Sequence, residues 1–196
     1  MKRLFDFIAS LFGIIVFSPL LLFISIILIL LEGFPIIFTQ NRVGRYGNMF
    51  TVLKFRTMVI GSEYMPEGSV TTGCDKRITR IGKFLRKWKL DELPTLFNVM
   101  KGDMSFVGPR PEVPGYADKL EGNEQRLLKM RPGITGPATL KYSNEEELLA
   151  QVDMPQKYND EVIFPDKVKI NLEYMDNRNL MKDINIIIKT IFRGNY

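Results

Sequence analysis

From Phe7 to Leu31 the chain carries no charge and is dominated by aliphatic and aromatic residues, FIASLFGIIVFSPLLLFISIILILL. As a straight helix this run would be about 37 Å long, enough to cross a hydrocarbon core of about 30 Å. It is longer than the apolar stretch of a cleaved signal peptide, and no small-x-small cleavage pattern follows it. Ser18-Pro19 falls at its midpoint. Proline removes one backbone donor and crowds the preceding turn, so the pattern predicts a kink and two arms of about 18 Å, each too short to cross alone. Lys2 and Arg3 precede the run, and Arg42 and Arg45 follow it. Cations at both flanks favour a cytoplasmic position for each. A re-entrant helix that dips into one leaflet and turns at Ser18-Pro19 satisfies both observations; the alternative is a plain kinked spanning anchor.

Past Pro35 the periodicity changes. PIIFTQ and MFTVLKFRTM flank the turn-forming NRVGRYGN and predict a β-hairpin over residues 35–58. Alternation places Leu53 and Phe55 on one face and Lys54 and Arg56 on the other, a face that is either solvated or functional. Residues 59–75 have loop composition, suited to a mobile segment beside a site or to an inert connection. Helical spacing returns at Ile81, Leu85 and Trp88 within a strongly basic segment. Such a helix suits either an anionic membrane surface or a core contact with a wet basic face. A new helix is expected to start at Asp91, with Asp91 as N-cap, Pro94 in the first turn and Leu93, Leu96, Phe97 and Met100 as its stripe. Ser143–Gln151 reads as a capped acidic helix start, residues 166–175 as a further helix, and Leu180, Ile184, Ile187, Ile188 and Ile191 as the stripe of a last amphipathic one, which packs on the core by default or, alternatively, contacts the membrane.

These elements give an α+β, mainly helical chain with a short β-hairpin. Its 196 residues fit a membrane segment at 1–34 and a compact domain at 35–196. Residues 32–110 hold thirteen Lys/Arg against seven Asp/Glu, a net of +6 within a total of +5. The basic excess therefore adjoins the apolar run and points to anionic lipid or anionic ligands. No nucleic-acid recognition motif accompanies it. The chain has no histidine and one cysteine, Cys74. That removes the commonest general base, any ordinary zinc site and any internal disulfide, and it suits a reducing compartment. Catalysis would rest on carboxylates, hydroxyls, Lys/Arg and a hard metal.

One stretch concentrates that chemistry: RKWKLDELPTLFNVMKGDMSFVGPRPE, Arg86–Glu112. Asp91 and Glu92 sit between upstream cations and a proline. Asp-Glu-x-Pro is an ordinary helix start, yet GPRP and RPGITG (Arg131–Gly136) each hold one arginine between rigid and flexible residues. Such loops can position a guanidinium for phosphate. Adjacent carboxylates cannot flank a sugar as the opposed pair of a glycosidase does. They can divide labour at phosphorus, one as nucleophile and one as metal ligand or base.

The order of these motifs, from the SP-broken apolar segment through FTQNRVG, LKFRTM, LDELPTLFNVMKGDMSFVGPRPE and RPGITG, resembles the bacterial sugar transferase family of small monotopic phosphoglycosyl transferases. The resemblance runs to about Gly136 and then thins. It implies transfer of a sugar phosphate from a UDP-sugar to a polyprenol phosphate such as undecaprenyl phosphate, with release of UMP, at the cytoplasmic face of the bacterial inner membrane. It implies a re-entrant helix broken at Ser18-Pro19, Asp91 as a nucleophile that forms a phosphosugar–aspartyl intermediate, and Glu92 as Mg²⁺ ligand or proton-transfer partner. Arg56, Arg86, Arg110 and, more weakly, Arg131 match family positions near phosphate or nucleotide. Self-association into a homo-oligomer is left open. One departure is that GPATLKYSNEEE replaces a frequent Q-V-x-G-R segment, so the sugar cannot be borrowed from a relative. The rival readings are a non-catalytic anchor that binds acidic lipid and a polyprenol phosphate phosphatase.

Overall fold

The computed structural model describes residues 2–62 and 75–193. Its longest element, α1 (Lys2–Glu32), is helical throughout and contains Pro19. Proline at position 19 cannot donate to the carbonyl of Ile15, and the Ser18 hydroxyl donates to that same oxygen at 2.8 Å. Serine thus satisfies the acceptor that proline orphans, which lets the helix run through the break. By length and composition α1 could cross a membrane, and only 11% of its most apolar window is buried.

The globular part touches α1 at both ends. Near the start, Arg3 donates to the carbonyls of Val99 and Met100 at 2.5 and 2.6 Å. Asp6 accepts from the backbone N–H of Phe106, and Lys2 pairs with Asp183. Near the end, Ile24 and Leu28 share a core cluster with Phe55 and Leu85, and Arg56 donates to the carbonyls of Glu32 and Gly33 at 2.8 and 3.0 Å. Those carbonyls are the unpaired acceptors of a helix C-terminus, where a buried guanidinium is favourable.

The expected hairpin is present as β1 (Ile37–Val43) and β2 (Met49–Phe55), antiparallel with Ile37 opposite Phe55. It is followed, past residues 63–74 and Cys74, which lie outside the described residues, by the basic helix α2 (Arg80–Lys87). A Cβ on Gly82 would stand 2.1 Å from the Thr57 carbonyl oxygen, so glycine is what lets α2 lie directly on the chain leaving β2. Leu85 is buried, while Phe84 and Trp88 are exposed beside the cations.

Two expectations are corrected. The helix after the acid pair, α3, begins at Thr95 and ends at Lys101, not at Asp91. Lys89 adopts a left-handed backbone (φ 55°), and Leu90–Glu92 form a 3₁₀ turn instead. The final helix, α8 (Leu180–Arg193), does not bury its aliphatic stripe. Asp183 and Ile186 face inward, and Ile187 packs partly against the core. Asp183 accepts from Lys2 and from the Tyr174 hydroxyl, and Thr190 meets Thr135 across 2.6 Å. Polar partners claim that inner face, which leaves Leu180, Met181, Ile188, Ile191 and Phe192 exposed.

The GPRP and RPGITG loops are joined by a two-stranded parallel pair, β3 (Ser105–Val107) and β4 (Gly133–Thr135). A Cβ on Gly108 would meet the Arg131 carbonyl oxygen at 2.4 Å and one on Gly133 the Gly108 nitrogen at 2.2 Å, so both positions need glycine for this close approach. The short helices α4 (Pro137–Lys141), α5 (Glu145–Ala150) and α6 (Pro155–Tyr158) follow. A π-helical stretch then leads into α7 (Phe164–Asn177).

Candidate active site

The acid pair owes its position to the residues on either side. Leu90 and Leu93 pack against the Leu28–Phe55–Leu85 cluster, which pins the 3₁₀ turn at two points. The Thr95 hydroxyl donates to the Glu92 carbonyl at 2.5 Å. Asn98, buried in α3, accepts from Leu53 N–H at 3.0 Å and donates to the Thr51 carbonyl at 2.7 Å, which fixes β2 beside the turn. That places Lys54, the residue after Leu53, on Glu92.

Lys54 Nζ lies 2.6 Å from Glu92 Oε1, and Arg110 Nη2 lies 3.2 Å from the same oxygen. Arg110 is aimed by β1, because Val43 N–H donates to the Glu112 carbonyl at 3.0 Å and Arg42 Nη1 to that of Pro111 at 3.0 Å. Burial works to raise the Glu92 carboxyl. The charges of Arg110 and Lys54, with the hydrogen bond from Lys54, outweigh it and hold Glu92 far below the ordinary carboxylate range. Arg110 is raised in turn, chiefly by Glu92.

Asp91 is held differently. It is 8% exposed, and its Oδ1 is buried with no hydrogen-bond partner among the described residues. Burial and then the neighbouring Glu92 charge raise its pKa above the ordinary aspartate value, while Lys54, Arg86 and Lys89 pull the other way. The site therefore contains one carboxylate held ionised by two cations on its Oε1 and one buried carboxylate whose Oδ1 has no partner among the described residues.

The structure brings together Asp91, Glu92 and Arg110, with Arg86 acting on Asp91 through its charge. Arg86 Nε also donates to the Thr57 hydroxyl at 2.9 Å. Arg56 is buried at the end of α1, where its Nη1 has no partner among the described residues. Arg131 is placed elsewhere, donating through Nε to the Gly102 carbonyl at 2.8 Å at the end of α3. Lys54 reads in sequence as one of two cations on a strand face, and only the pairing of β2 with the acid turn singles it out. Asn98 carries no sequence signal beyond a polar residue in an apolar helix.

The sequence matches the bacterial sugar transferase family over residues 1–194. The chain belongs to that family. It is 36% identical to the UDP-N-acetylgalactosamine-undecaprenyl-phosphate N-acetylgalactosaminephosphotransferase of Aeromonas hydrophila, over 97% of this chain and 42% of the relative. It is 35% identical to the undecaprenyl-phosphate galactose phosphotransferase of Salmonella typhimurium, over 97% and 39%. Against the uncharacterized sugar transferase EpsL of Bacillus subtilis it is 34% identical, over 97% and 85%. The chain thus spans about two fifths of the first two relatives and most of the third.

For a sugar transferase of this family the resemblance implies Mg²⁺, and the residues fit it in one specific way. No group of three His, Cys, Asp or Glu among the described residues offers an all-protein cage. Magnesium commonly takes one or two carboxylates and completes its shell with phosphate oxygens and water. Asp91, with an unpartnered oxygen, and the adjacent Glu92 supply that donor set.

Proposed function

We propose that this protein transfers a sugar phosphate from a UDP-sugar to a polyprenol phosphate by a ping-pong route through Asp91. A carboxylate oxygen of Asp91 attacks the sugar-bearing phosphorus, the bond from that phosphorus to the bridging oxygen breaks, and UMP leaves. A phosphate oxygen of the polyprenol phosphate then attacks the same phosphorus. The aspartyl–phosphorus bond breaks, which releases polyprenol-diphosphate-sugar and restores the carboxylate. The observation that carries this reading is the contrast within the acid pair: Glu92 is neutralised by Lys54 and Arg110, and Asp91 keeps a buried oxygen without a partner.

In this reading Lys54 and Arg110 hold the Glu92 carboxylate in place and present positive charge to the diphosphate, whose charge must be offset as the leaving group departs. Asp91 and Glu92 would hold Mg²⁺, which when bound neutralises diphosphate charge. Arg86 adds to the positive field at Asp91, and Arg56 acts from the end of α1, where its buried side chain holds the Glu32 and Gly33 carbonyls. Arg131 acts through its hold on α3, as a positioning residue. The names of the relatives support the acceptor class, and they differ in the sugar, so family membership leaves the sugar open.

A re-entrant α1 is the arrangement the packing favours. Arg3 and Arg56 tie its two ends to the same globular part, which a straight crossing would separate by the thickness of the bilayer. The exposed faces of α2 (Phe84, Trp88) and α8 (Ile188, Ile191, Phe192) supply further apolar surface for an interfacial position on the cytoplasmic side.

The test is direct. Detergent-purified protein with Mg²⁺ and undecaprenyl phosphate is assayed against a panel of UDP-sugars. UMP release that yields an equimolar lipid-linked diphosphate sugar supports the assignment. Release of inorganic phosphate alone would support the phosphatase reading, and no release from any donor would leave only the anchor reading.

A further inference from the structure

We infer that a cavity beside Arg110 receives the N-acyl substituent of an acetamido donor sugar, with the carboxamide of Asn171 as its polar partner. The inference rests on the UDP-sugar reading above and specifies the donor. The cavity, of about 50 Å³, lies between the GPRP loop and α7. Arg110 lines both this cavity and the cleft that holds Lys54 and Glu92. A donor whose phosphorus sits at the acid pair therefore has the cavity within reach past a residue of the site.

Size and chemistry choose the occupant. A space this small takes a group of a few heavy atoms and not a hexose ring. Leu120, Leu127 and Val168 form an apolar wall. Of the charged groups at its edge, Lys167 Nζ lies 2.8 Å from Glu145 Oε1 and Arg110 is paired with Glu92, while burial pushes the Glu112 carboxyl up toward its neutral form.

Asn171, 5% exposed, supplies the fully buried polar atom of the lining that has no partner among the described residues, its Oδ1. Unpaired buried polar atoms are costly and rare, and a half-turn of the carboxamide presents either its acceptor or its donors to the cavity. An acetamido group matches the set, with an N–H and a carbonyl for Asn171 and a methyl for the apolar wall. A sugar hydroxyl would serve the amide and leave that wall uncovered.

The experiment compares kcat/KM for UDP-N-acetylgalactosamine against UDP-galactose, and for UDP-N-acetylglucosamine against UDP-glucose, in detergent with undecaprenyl phosphate. The wild-type protein is expected to favour the acetamido member of at least one pair by about 10-fold or more. Asn171→Leu removes the amide at similar volume, and Ala117→Leu narrows the cavity from a half-buried position packed against the apolar wall. In each variant that melts like the wild type, the acetamido-to-hydroxyl ratio should fall toward one, whatever the absolute rate. Should Asn171→Leu fail to fold, Ala117→Leu carries the test. A wild-type ratio at or below one in both pairs, or a ratio that survives in a folded variant, overturns the inference and leaves the transfer reaction standing. Failure of all four donors overturns the inference together with the reading beneath it.

Discussion

Asp91 and Glu92 are neighbours in the chain and opposites in their surroundings. Glu92 Oε1 accepts from Lys54 at 2.6 Å and from Arg110 at 3.2 Å, whereas Asp91 Oδ1 is buried with no partner among the described residues.

Replacement of Asp91 by Asn should abolish turnover and yet not weaken the fold. Its pKa is raised in the folded chain, so the ionised form costs stability above the ordinary aspartate pKa of about 3.9 and costs none well below it. At neutral pH the variant should melt at the same temperature or about 2–4 °C higher, and any gain should shrink on acidification. Thermal melts in detergent at two pH values check this. A marked loss of stability would mean that Asp91 serves the fold.

Glu92→Gln should slow turnover and move the acid limb of its pH profile to lower pH. Burial and then the Glu92 charge raise Asp91, so removal of that charge lets Asp91 stay ionised further into acid. Lys54 and Arg110, released from Glu92, act in the same direction. A kcat/KM profile from pH 4.5 to 8 reads the shift, and movement of the limb to higher pH would contradict the assignment.

Lys54→Met should cost about 100-fold in kcat, the usual scale for loss of one group that stabilises developing charge. It should also leave Glu92 with Arg110 as its one hydrogen-bonded cation and so raise the Glu92 pKa from its depressed value. The measurement is kcat against KM for one donor. An effect confined to KM would make Lys54 a binding contact only.

Not all of this was legible from the chain. The hairpin was, because period-two alternation and a glycine-containing turn are local signals. The acid pair was legible as chemistry but misplaced as structure. Lys89 in a left-handed conformation breaks the segment before Asp91, so a helix that composition starts at the acids starts at Thr95. The α8 stripe failed for a non-local reason. Lys2 and Tyr174 bury Asp183, and that turns Ile188 and Ile191 outward. Lys54 was hidden in the same way, since its partner lies 38 positions away.

Topology has its own test. In a Cys74→Ser background, single cysteines at Leu4 and Gly33 should both be labelled from the cytoplasmic side of inverted vesicles. Pro19→Ala restores the missing donor to Ile15 and should favour a straight helix, with the two sites then labelled from opposite sides. Opposite-side labelling of the unsubstituted helix would remove the re-entrant arrangement.

Mass spectrometry of protein quenched in acid, after incubation without polyprenol phosphate and with a UDP-sugar that it turns over, looks for the aspartyl intermediate itself. A phosphosugar mass is expected on the peptide containing Asp91, lost on addition of the lipid acceptor and absent from Asp91→Asn. An unmodified Asp91 peptide under conditions that release a stoichiometric burst of UMP would contradict it.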